Sequence, residues 1–230
     1  MYKKSARFYD YLYHFKDYDS ESLLIKRLIN ERHPRAASLL DLACGTGQFL
    51  SRFQDSFAAD GLDLSPELLA IARSRCPRAS LYQGNMQDFV LPRRYDVITC
   101  LFSSIIYVKE DGLNKMLQSI ARHLAPGGLL IMEPWFSPDE FWPNHIKLNN
   151  FQQPNLAIAW MYVGRHEGKI AIVDIHFLVA TKSGVETFTE LHELALFTHQ
   201  DYEMAFSNAA LDAEFVPTGK HGLFLGKSNT

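Results

Sequence analysis

The sequence has few cysteines, no long apolar run and no large excess of either charge. Its three cysteines form no Cys-x-x-Cys pair, which argues against a disulfide framework and a zinc knuckle. Apolar runs such as 129–132 are far shorter than the roughly 20 residues of a membrane-spanning helix. Two lysines near the start have no apolar stretch behind them, unlike a secretory signal. These absences predict a cytoplasmic protein with no membrane partner.

The balance of charges also indicates which classes of binding partner to expect. The 230 residues include 23 Lys and Arg against 26 Asp and Glu, a net charge of −3. A protein that neutralises many phosphates usually carries a basic excess, so this balance argues against a nucleic-acid partner. With 47% hydrophobic and 21% charged residues, the composition is that of a globular chain. We therefore expect a small-molecule substrate and, from the length, a single domain.

The order of predicted elements indicates an α/β fold. Five strand-like segments alternate with helical ones, namely 37–43, 57–64, 79–83, 95–102 and 129–133. Asp19 or Ser20 is the predicted cap of a helix over 20–32, and Ser65 followed by Pro66 begins another. Such alternation predicts a doubly wound, Rossmann-like parallel sheet covered by helices on both faces.

Beyond residue 133 the alternating pattern ends. Three strand-like stretches follow without helices between them, at 156–163, 169–180 and 185–197. A helix capped by Thr198 and two short strands, 213–217 and 222–226, complete a seven-stranded sheet with an antiparallel β insertion after its fifth strand. The single predicted domain thus has an N-terminal segment and helix, a core, the insert and a terminal unit, at 1–33, 34–134, 135–197 and 198–230.

A glycine-containing turn follows the first predicted strand. Asp41 lies near the end of that strand, and Ala43, Cys44, Gly45 and Gly47 lead into the next helix. Ligands of open parallel sheets bind outside the carboxyl ends of the strands, where this turn lies. Glycine lets the backbone bend tightly and approach a ligand without a Cβ in between. The turn is therefore the predicted centre of a cofactor site.

A second acid supplies a predicted ribose-binding group, and residues of the turn then distinguish between the two cofactors that use this geometry. Asp63 lies at the end of the second predicted strand, 22 residues after Asp41, where an acid can accept hydrogen bonds from both ribose hydroxyls of an adenosine. A dinucleotide-binding loop carries a third glycine, but Phe49 and Leu50 occupy that region here. S-adenosylmethionine bears an ammonium and a sulfonium, which suit the carboxylate of Asp41. The pattern therefore predicts S-adenosylmethionine as the cofactor.

The loops after the next strands supply further candidates. Asn85 and Met86 follow the third strand, where an amide and an apolar side chain would hold the adenine. Leu64 adjoins the ribose-binding acid. Leu101 and Ser103 lie at the end of the fourth strand, which opens onto the place where substrate and methyl group would meet. We predict that all of these contact the cofactor.

Several segments resemble one group of enzymes. They are 40–47, 83–89, 102–105, 121–128 and 133–136, and the likeness extends over residues 9–226. The chain resembles class I S-adenosylmethionine-dependent methyltransferases, and among them the N,N-dimethyltransferases that finish TDP-amino-deoxysugars such as desosamine and mycaminose. The glycine turn is common to class I members, whereas the Phe-Ser-Ser-Ile and Glu-Pro-Trp segments are much narrower. The resemblance implies that the segments Tyr9-Asp10 and Lys16-Asp17-Tyr18 belong to a lid over the cofactor, where aromatic faces attract a sulfonium. The alternative is a docked amphipathic first helix.

Two departures from that group concern the acceptor. Tyr107 stands where those enzymes have a histidine after the fourth strand, and His221 stands where they have an arginine near the end. A guanidinium clamps phosphate far better than an imidazole, although the adjacent Lys220 can compensate. The motifs therefore imply methyl transfer more firmly than they imply a TDP-sugar acceptor.

Three residues are candidates for the chemistry of an amine acceptor, namely Tyr107, His192 and Glu133. Such an amine needs a lone pair, supplied by a base or by burial that keeps the amine neutral. Tyr107 can equally be a packing aromatic, and His192 can belong to a solvated strand face that also carries Glu190. Glu133 ends the fifth strand, where a buried acid without a role would be costly.

The sequence thus predicts a methyltransferase that acts on the amine of a small molecule, for example a nucleotide-linked amino sugar. Two alternatives stay open: an O-methyltransferase of a hydroxylated metabolite, and a non-catalytic protein that binds S-adenosylmethionine. No metal is expected, because Asp174 and His176 share a strand face without a third ligand. The aromatic insert can line the acceptor pocket or join two copies in a homodimer.

Overall fold

The computed structural model describes residues 4–109 and 112–228. Its strands are β1 (Ser38–Leu42), β2 (Ala58–Asp63), β3 (Leu81–Gln83), β4 (Tyr95–Cys100), β5 (Leu124–Met132), β6 (Ile146–Gln153), β7 (Leu156–Glu167), β8 (Ile170–Thr181), β9 (Gly184–Ala195), β10 (Leu211–Val216) and β11 (Leu223–Ser228). Its α-helices are α1 (Tyr9–Leu12), α2 (Tyr18–Arg32), α3 (Gln48–Phe53), α4 (Pro66–Arg75), α5 (Gly112–His123) and α6 (His199–Asn208). Short 3-10 turns at Ser5–Phe8 and Ser104–Tyr107 precede α1 and follow β4. No helix among these described residues combines the length and apolarity of a membrane span.

Seven strands form the central sheet in the order β3-β2-β1-β4-β5-β11-β10. Neighbouring strands from β1 to β5 run parallel, β11 is antiparallel to β5, and β10 is antiparallel to β11. Apolar side chains are buried on both faces, with α5 and α6 packed on one face and α2, α3 and α4 on the other. This confirms the predicted doubly wound, seven-stranded fold. It also places the carboxyl ends of β2, β1 and β4 side by side.

Side-chain caps determine where several helices begin. α2 starts directly after Asp17, whose carboxylate accepts the backbone N–H of Ser20 at 3.0 Å. The prediction of Asp19 or Ser20 as the cap was therefore wrong, because hydroxyls and acids in the first turn made the signal ambiguous. Ser65 and Thr198 cap α4 and α6 as predicted, the latter within a capping box.

The insert holds four antiparallel strands, in the order β6-β7-β8-β9, rather than the three that the sequence predicts. The sequence does not reveal β6, because its asparagines have a low strand propensity. This strand forms because every residue pairs with β7, from Ile146 opposite Val163 to Gln153 opposite Leu156. Pairing along its whole length thus outweighs local preference.

The two faces of the insert sheet differ in their surroundings. On the inner face, Ile158, Trp160 and Phe177 form a buried cluster with Phe8 and Leu12 of the N-terminal turns. The outer face leaves large apolar side chains exposed, namely Ile146, Leu148, Met161, Val163, Leu178, Val185 and Leu191. The N-terminal turns are therefore packed against the insert, whereas the outer face is uncovered.

Candidate active site

A cavity of about 870 Å³ opens at the carboxyl ends of β1, β2 and β4, bounded by the insert and the N-terminal turns. Parallel strands end there together, so side chains distant in sequence meet. The predicted site residues that line it are Tyr9, Ala43, Gly45, Asp63, Leu64, Asn85, Met86, Leu101, Ser103, Tyr107, Glu133 and His192. Tyr18, Asp41 and Cys44 line a smaller cavity that shares Tyr9 and Gly45 with the large one.

The two glycines of the turn after β1 have different surroundings. Gly45 adopts φ +56°, and a Cβ built on it would meet nothing within 4 Å, so its backbone faces open space. Gly47 adopts φ +80° at the start of α3, and a Cβ there would lie 2.9 Å from Sγ of Cys76. The cavities do not reach Gly47, whose missing side chain instead lets α3 pack closely on α4.

Asp63 joins three segments at the end of β2. Its Oδ2 accepts the backbone N–H of Gly45 at 2.8 Å, and its Oδ1 accepts that of Ser65 at 2.8 Å. Burial raises the pKa of this carboxyl, and the backbone donors oppose that rise. Each oxygen of an ionised carboxylate has capacity for a second donor. Asp63 therefore presents two fixed acceptors at the wall of the large cavity.

Asp41 is a buried acid in the adjoining small cavity. The hydroxyl of Thr99 donates to its Oδ1 at 2.8 Å, and 3% of its surface is exposed. Burial raises the pKa of Asp41 to about 7, and the negative charge of Asp63 adds to the rise. A nearby cationic group would favour the ionised form. The site is therefore suited to a positively charged ligand.

Tyr107 and His192 meet at the wall of the large cavity. The Tyr107 hydroxyl, in the turn after β4, lies 3.0 Å from Nδ1 of His192 on β9. His192 is buried, with 3% of its surface exposed, rather than part of a solvated strand face. The pair combines a hydroxyl with an imidazole, which is an arrangement that can accept a proton.

Glu133 lies directly after β5 and supports the neighbouring turn. Its Oε2 accepts the backbone N–H of Phe102 at 2.7 Å, and its Oε1 lies 3.4 Å from the hydroxyl of Ser103. Phe102 and Ser103 adopt φ +53° and +52°, a conformation that is costly for residues other than glycine. Burial raises the pKa of Glu133. The contacts of Glu133 therefore stabilise a strained turn at the cavity wall.

Lys16, from a segment that the resemblance implies belongs to the lid, is a cavity residue for which the sequence predicts no role of its own. Its ammonium lies 4.1 Å from the ring centroid of Phe102 and 5.5 Å from that of Phe49. It also donates to the carboxylate of Glu21 at 2.6 Å, and 7% of its side-chain surface is exposed. An aromatic cage for a cation therefore exists in the cavity, formed by residues that only the tertiary fold brings together.

Three more lysines line the large cavity, namely Lys109, Lys147 and Lys220. Phe136 and Trp142 line it as well, with ring centroids 5.1 Å apart. The Lys220 ammonium lies 4.7 Å from the Phe136 ring centroid. The lysines are distant in sequence and form no motif, which is why sequence reasoning did not group them.

His221 lies beside this cationic and aromatic region. Its ring centroid lies 4.7 Å from that of Phe136, with the two planes nearly perpendicular. Burial lowers its pKa, and the charge of Lys220 lowers it further. His221 is therefore neutral near pH 7, and the positive charge of this region comes from its lysines.

Asp174 and His176 lie on the outer face of the insert, away from the cavity. Their side chains are 3.5 Å apart and half exposed. Among residues 4–109 and 112–228, no three His, Cys, Asp or Glu side chains are grouped so that they could hold a metal ion.

Comparison with known proteins relates this geometry to a family. The family described as "Methyltransferase domain" matches residues 39–128, which include the glycine turn and Asp63. The chain is 39% identical over 216 residues to the dTDP-3-amino-3,6-dideoxy-alpha-D-glucopyranose N,N-dimethyltransferase of Streptomyces fradiae, covering 92% of this chain and 85% of that protein.

Solved structures agree with that sequence match. The crystal structure of Streptomyces venezuelae DesVI superimposes with a TM-score of 0.92 at 36% identity, covering 99% of this chain and 100% of that one. S-adenosylmethionine-bound CalS10, an amino pentose methyltransferase from Micromonospora echinaspora, gives 0.86 at 28% identity, covering 99% and 97%. The chain therefore belongs to the class I S-adenosylmethionine-dependent methyltransferases, in the group that contains the TDP-amino-sugar N,N-dimethyltransferases.

We expect Asp41→Asn to remove a pH dependence of stability. The pKa of Asp41 is raised from 3.8 to about 7 on folding. Between these values the folded state holds a proton that the unfolded state has released, so this group makes the free energy of unfolding fall as pH rises. At about 1.36 kcal/mol per pKa unit, the effect amounts to roughly 4 kcal/mol in full. Urea unfolding of the cofactor-free wild type and variant at several pH values between about 4 and 8 measures it.

The variant should therefore gain stability relative to the wild type as pH rises towards 7, and the difference should level off above that pH. Asp212→Asn, at an exposed position on β10, is the matched control and should show a pH-independent difference. A constant difference for Asp41→Asn over the whole range would contradict the raised pKa.

Proposed function

We propose that the enzyme transfers methyl groups from S-adenosylmethionine to the amine of a nucleotide-linked amino sugar. The observation that carries this proposal is the division of the binding region by charge. Asp41 and Asp63 lie at the β1 and β2 ends of the sheet, whereas Lys220 lies in the loop between β10 and β11. A cationic cofactor suits the acidic side, and an anionic sugar nucleotide suits the basic side.

The acidic side fits S-adenosylmethionine residue by residue. Asp63 holds two acceptors for the ribose hydroxyls, and Gly45 leaves the backbone open beside it. Asp41 complements the cationic end of the cofactor. Asn85 and Met86, at the cavity wall after β3, are placed to hold the adenine. When bound, S-adenosylmethionine supplies an electrophilic methyl group.

The N-terminal turns cover the same region. Asp10 accepts from the Thr46 hydroxyl at 2.7 Å and pairs with Arg75 at 2.6 Å. Tyr9 lines both cavities and Tyr18 the smaller one. These contacts tie the N-terminal segment to the glycine turn and to α4. They support its role as a lid over the cofactor.

The basic side suits a nucleotide diphosphate. Lys109, Lys147 and Lys220 supply cations for phosphate, and Phe136 and Trp142 supply faces on which a base can stack. Lys220 thereby provides the charge that the neutral His221 lacks. The names of the relatives, which act on dTDP-linked amino sugars, support the same acceptor class.

The base for the acceptor nitrogen is the Tyr107–His192 pair. The Tyr107 hydroxyl lines the cavity and lies 3.0 Å from the imidazole, so it can pass a proton to Nδ1. Glu133 holds the backbone of the adjacent turn and thereby the shape of the cavity wall. The same pair could deprotonate a hydroxyl, and the relatives' N-methylation favours the amine.

The outer face of the insert supports a homodimer. Leu148 on β6, Met161 on β7 and Leu191 on β9 are 61%, 51% and 54% exposed on this face. An uncovered apolar sheet face of this kind favours association. Asp174 and His176 add hydrogen-bond acceptors and donors to the same face, so two copies can pair through this surface about a two-fold axis. The proposed occupant is therefore a second copy of this chain.

The cysteines support a cytoplasmic location. Cys44, Cys76 and Cys100 are all free and buried, and none forms a disulfide. Free buried cysteines are typical of a reducing compartment. We therefore place the enzyme in the cytoplasm.

The proposed reaction is tested with dTDP-3-amino-3,6-dideoxy-α-D-glucopyranose and S-adenosylmethionine. The expected products carry first one and then two methyl groups on the amine, together with S-adenosylhomocysteine. Mass spectrometry of the sugar nucleotide, followed by NMR of the methylated position, measures this. The matched control is the same sugar nucleotide with a hydroxyl in place of the amine, which should stay unmethylated. Methylation of the hydroxyl compound alone would contradict the proposal.

Asp63→Ala should weaken cofactor binding. It removes two acceptors for the ribose, each worth about 1 to 3 kcal/mol when charged, so the dissociation constant should rise by at least roughly tenfold. Isothermal titration with S-adenosylhomocysteine measures this. Asp88→Ala changes an exposed acid outside the cavity wall and should leave the affinity unchanged. Equal affinity of Asp63→Ala and wild type would rule out the ribose-binding role.

A charge on the outer face of the insert should separate the two copies. Leu148→Glu places a carboxylate in the proposed interface, where burial without a partner is costly. Sedimentation velocity should report a dimer for the wild type and a monomer for the variant. The control is Val90→Glu, which changes an exposed apolar residue outside the insert; this variant should remain a dimer. A wild-type protein that sediments as a monomer would contradict the proposed homodimer.

A further inference from the structure

Four residues form a polar chain from the N-terminal turn to the cavity. Ser5 donates to the Glu190 carboxylate through its backbone N–H, at 3.1 Å from Oε1, and through its hydroxyl to Oε2. Oε2 of Glu190 lies 3.5 Å from Nε2 of His192. The other ring nitrogen of His192 lies 3.0 Å from the Tyr107 hydroxyl. Tyr107 and His192 line the cavity, whereas Ser5 is fully buried behind them.

The strand geometry explains why Glu190 faces His192. Residues two apart on β9 lie on the same side of the sheet, and this is the inner side. Their partners on β8, Ile175 and Val173, are apolar. A carboxylate beside Nε2 favours the imidazole tautomer that is protonated at Nε2. Nδ1 then carries no proton and can accept a hydrogen bond from the Tyr107 hydroxyl. The carboxylate also stabilises the ring once it is protonated, since an ion pair at 3.5 Å gains most when both partners are charged.

The N-terminal segment links this chain to the cofactor side. Five residues after Ser5, Asp10 contacts Thr46 and Arg75 beside the glycine turn. Farther along, Tyr13 packs edge-on against Phe102 with ring centroids 4.9 Å apart. One segment therefore contacts the cofactor region through Asp10 and the polar chain through Ser5.

We propose that Glu190 is a positioning residue for His192, and that the N-terminal segment completes this arrangement by seating Ser5 on Glu190. The proposal rests on the proposed function of the Tyr107–His192 pair. The acceptor nitrogen gives a proton to the Tyr107 oxygen while the Tyr107 proton moves to Nδ1 of His192. The imidazolium then carries a proton on each nitrogen, and the Glu190 carboxylate balances its charge. Water takes the extra proton from the imidazole after the product has left.

Glu190→Gln tests the positioning role by replacing one carboxylate oxygen of this side chain with an amide nitrogen. The backbone N–H of Ser5 should select the amide oxygen at the Oε1 position, so the amide NH₂ should face Nε2 of His192. The imidazole proton should then move to Nδ1, where it blocks transfer from Tyr107. We expect kcat on the dTDP-amino sugar to fall by roughly a hundredfold, with KM little changed. Nitrogen-15 NMR of histidine-labelled full-length protein should show the reversed tautomer of His192, assigned through His192→Asn.

Two further variants separate positioning from simple packing. Ser5→Ala removes the hydroxyl donor and keeps the backbone donor, so it should lower kcat less and give a mixture of His192 tautomers. Glu190→Asp keeps the charge and should retain more activity than Glu190→Gln. The matched control is Glu186→Gln. It breaks the exposed ion pair between Arg7, which lies in the same turn as Ser5, and Glu186, which lies on the same strand as Glu190. It should leave both kcat and the His192 signals unchanged.

The outcomes distinguish this proposal from the proposed function. A wild type that does not methylate the sugar nucleotide would refute the proposed function, while the NMR comparison would still decide whether Glu190 sets the His192 tautomer. Circular dichroism and S-adenosylhomocysteine binding establish that each variant is folded; if Glu190→Gln is not, Glu190→Asp and Ser5→Ala decide the result. A wild-type His192 tautomer in Glu190→Gln, with kcat within about twofold of the wild type, would overturn the positioning role.

Discussion

The carboxylate of Asp63 is the constraint on which the arrangement of the site depends. It accepts one backbone N–H from the glycine turn after β1 and another from the start of α4. Three segments from two βα units are thereby fixed around one buried charge, and the cavity wall takes its shape from them. Because backbone donors are used, no side chain needs to occupy the space beside Gly45. The same two bonds that shape the wall leave acceptor capacity for a ligand.

Two buried acids of neighbouring strands show how structural and functional charges differ. Asp60, on β2, pairs with Arg93 at 2.7 Å and accepts from the Tyr95 hydroxyl at 3.0 Å. Asp41, on β1, accepts from Thr99 and has no cationic partner among the described side chains. Burial is tolerated in the first case because the protein supplies the counter-charge. In the second case no counter-charge among the described side chains offsets the burial, and burial together with the nearby Asp63 raises the pKa of Asp41.

Local signals made the cofactor side predictable, and long-range packing hid the acceptor side. Gly45 and Asp63 follow strands that hydrophobic pattern alone identifies, and parallel topology then forces them together. Lys16, Lys147 and Lys220 come from the N-terminal segment, from β6 and from the loop before β11. Only Lys220 was singled out in the sequence, because it adjoins His221; Lys16 and Lys147 carry no such local signal. β6 itself formed through pairing rather than propensity, so the residues it carries could not be assigned to a site in advance.

The two departures from the resembled enzymes have different consequences in the folded chain. The resemblance implies a histidine at position 107, where this chain has a tyrosine, and His192 on β9 lies 3.0 Å from that tyrosine hydroxyl. An imidazole is thus present at the same cavity wall, on a neighbouring strand. The resemblance implies an arginine at position 221, where this chain has a histidine that burial and Lys220 keep neutral. At the first position an imidazole is still in hydrogen-bonding contact with the side chain. At the second, the positive charge comes from flexible lysines rather than from a planar guanidinium, which would restrain a bound phosphate more tightly.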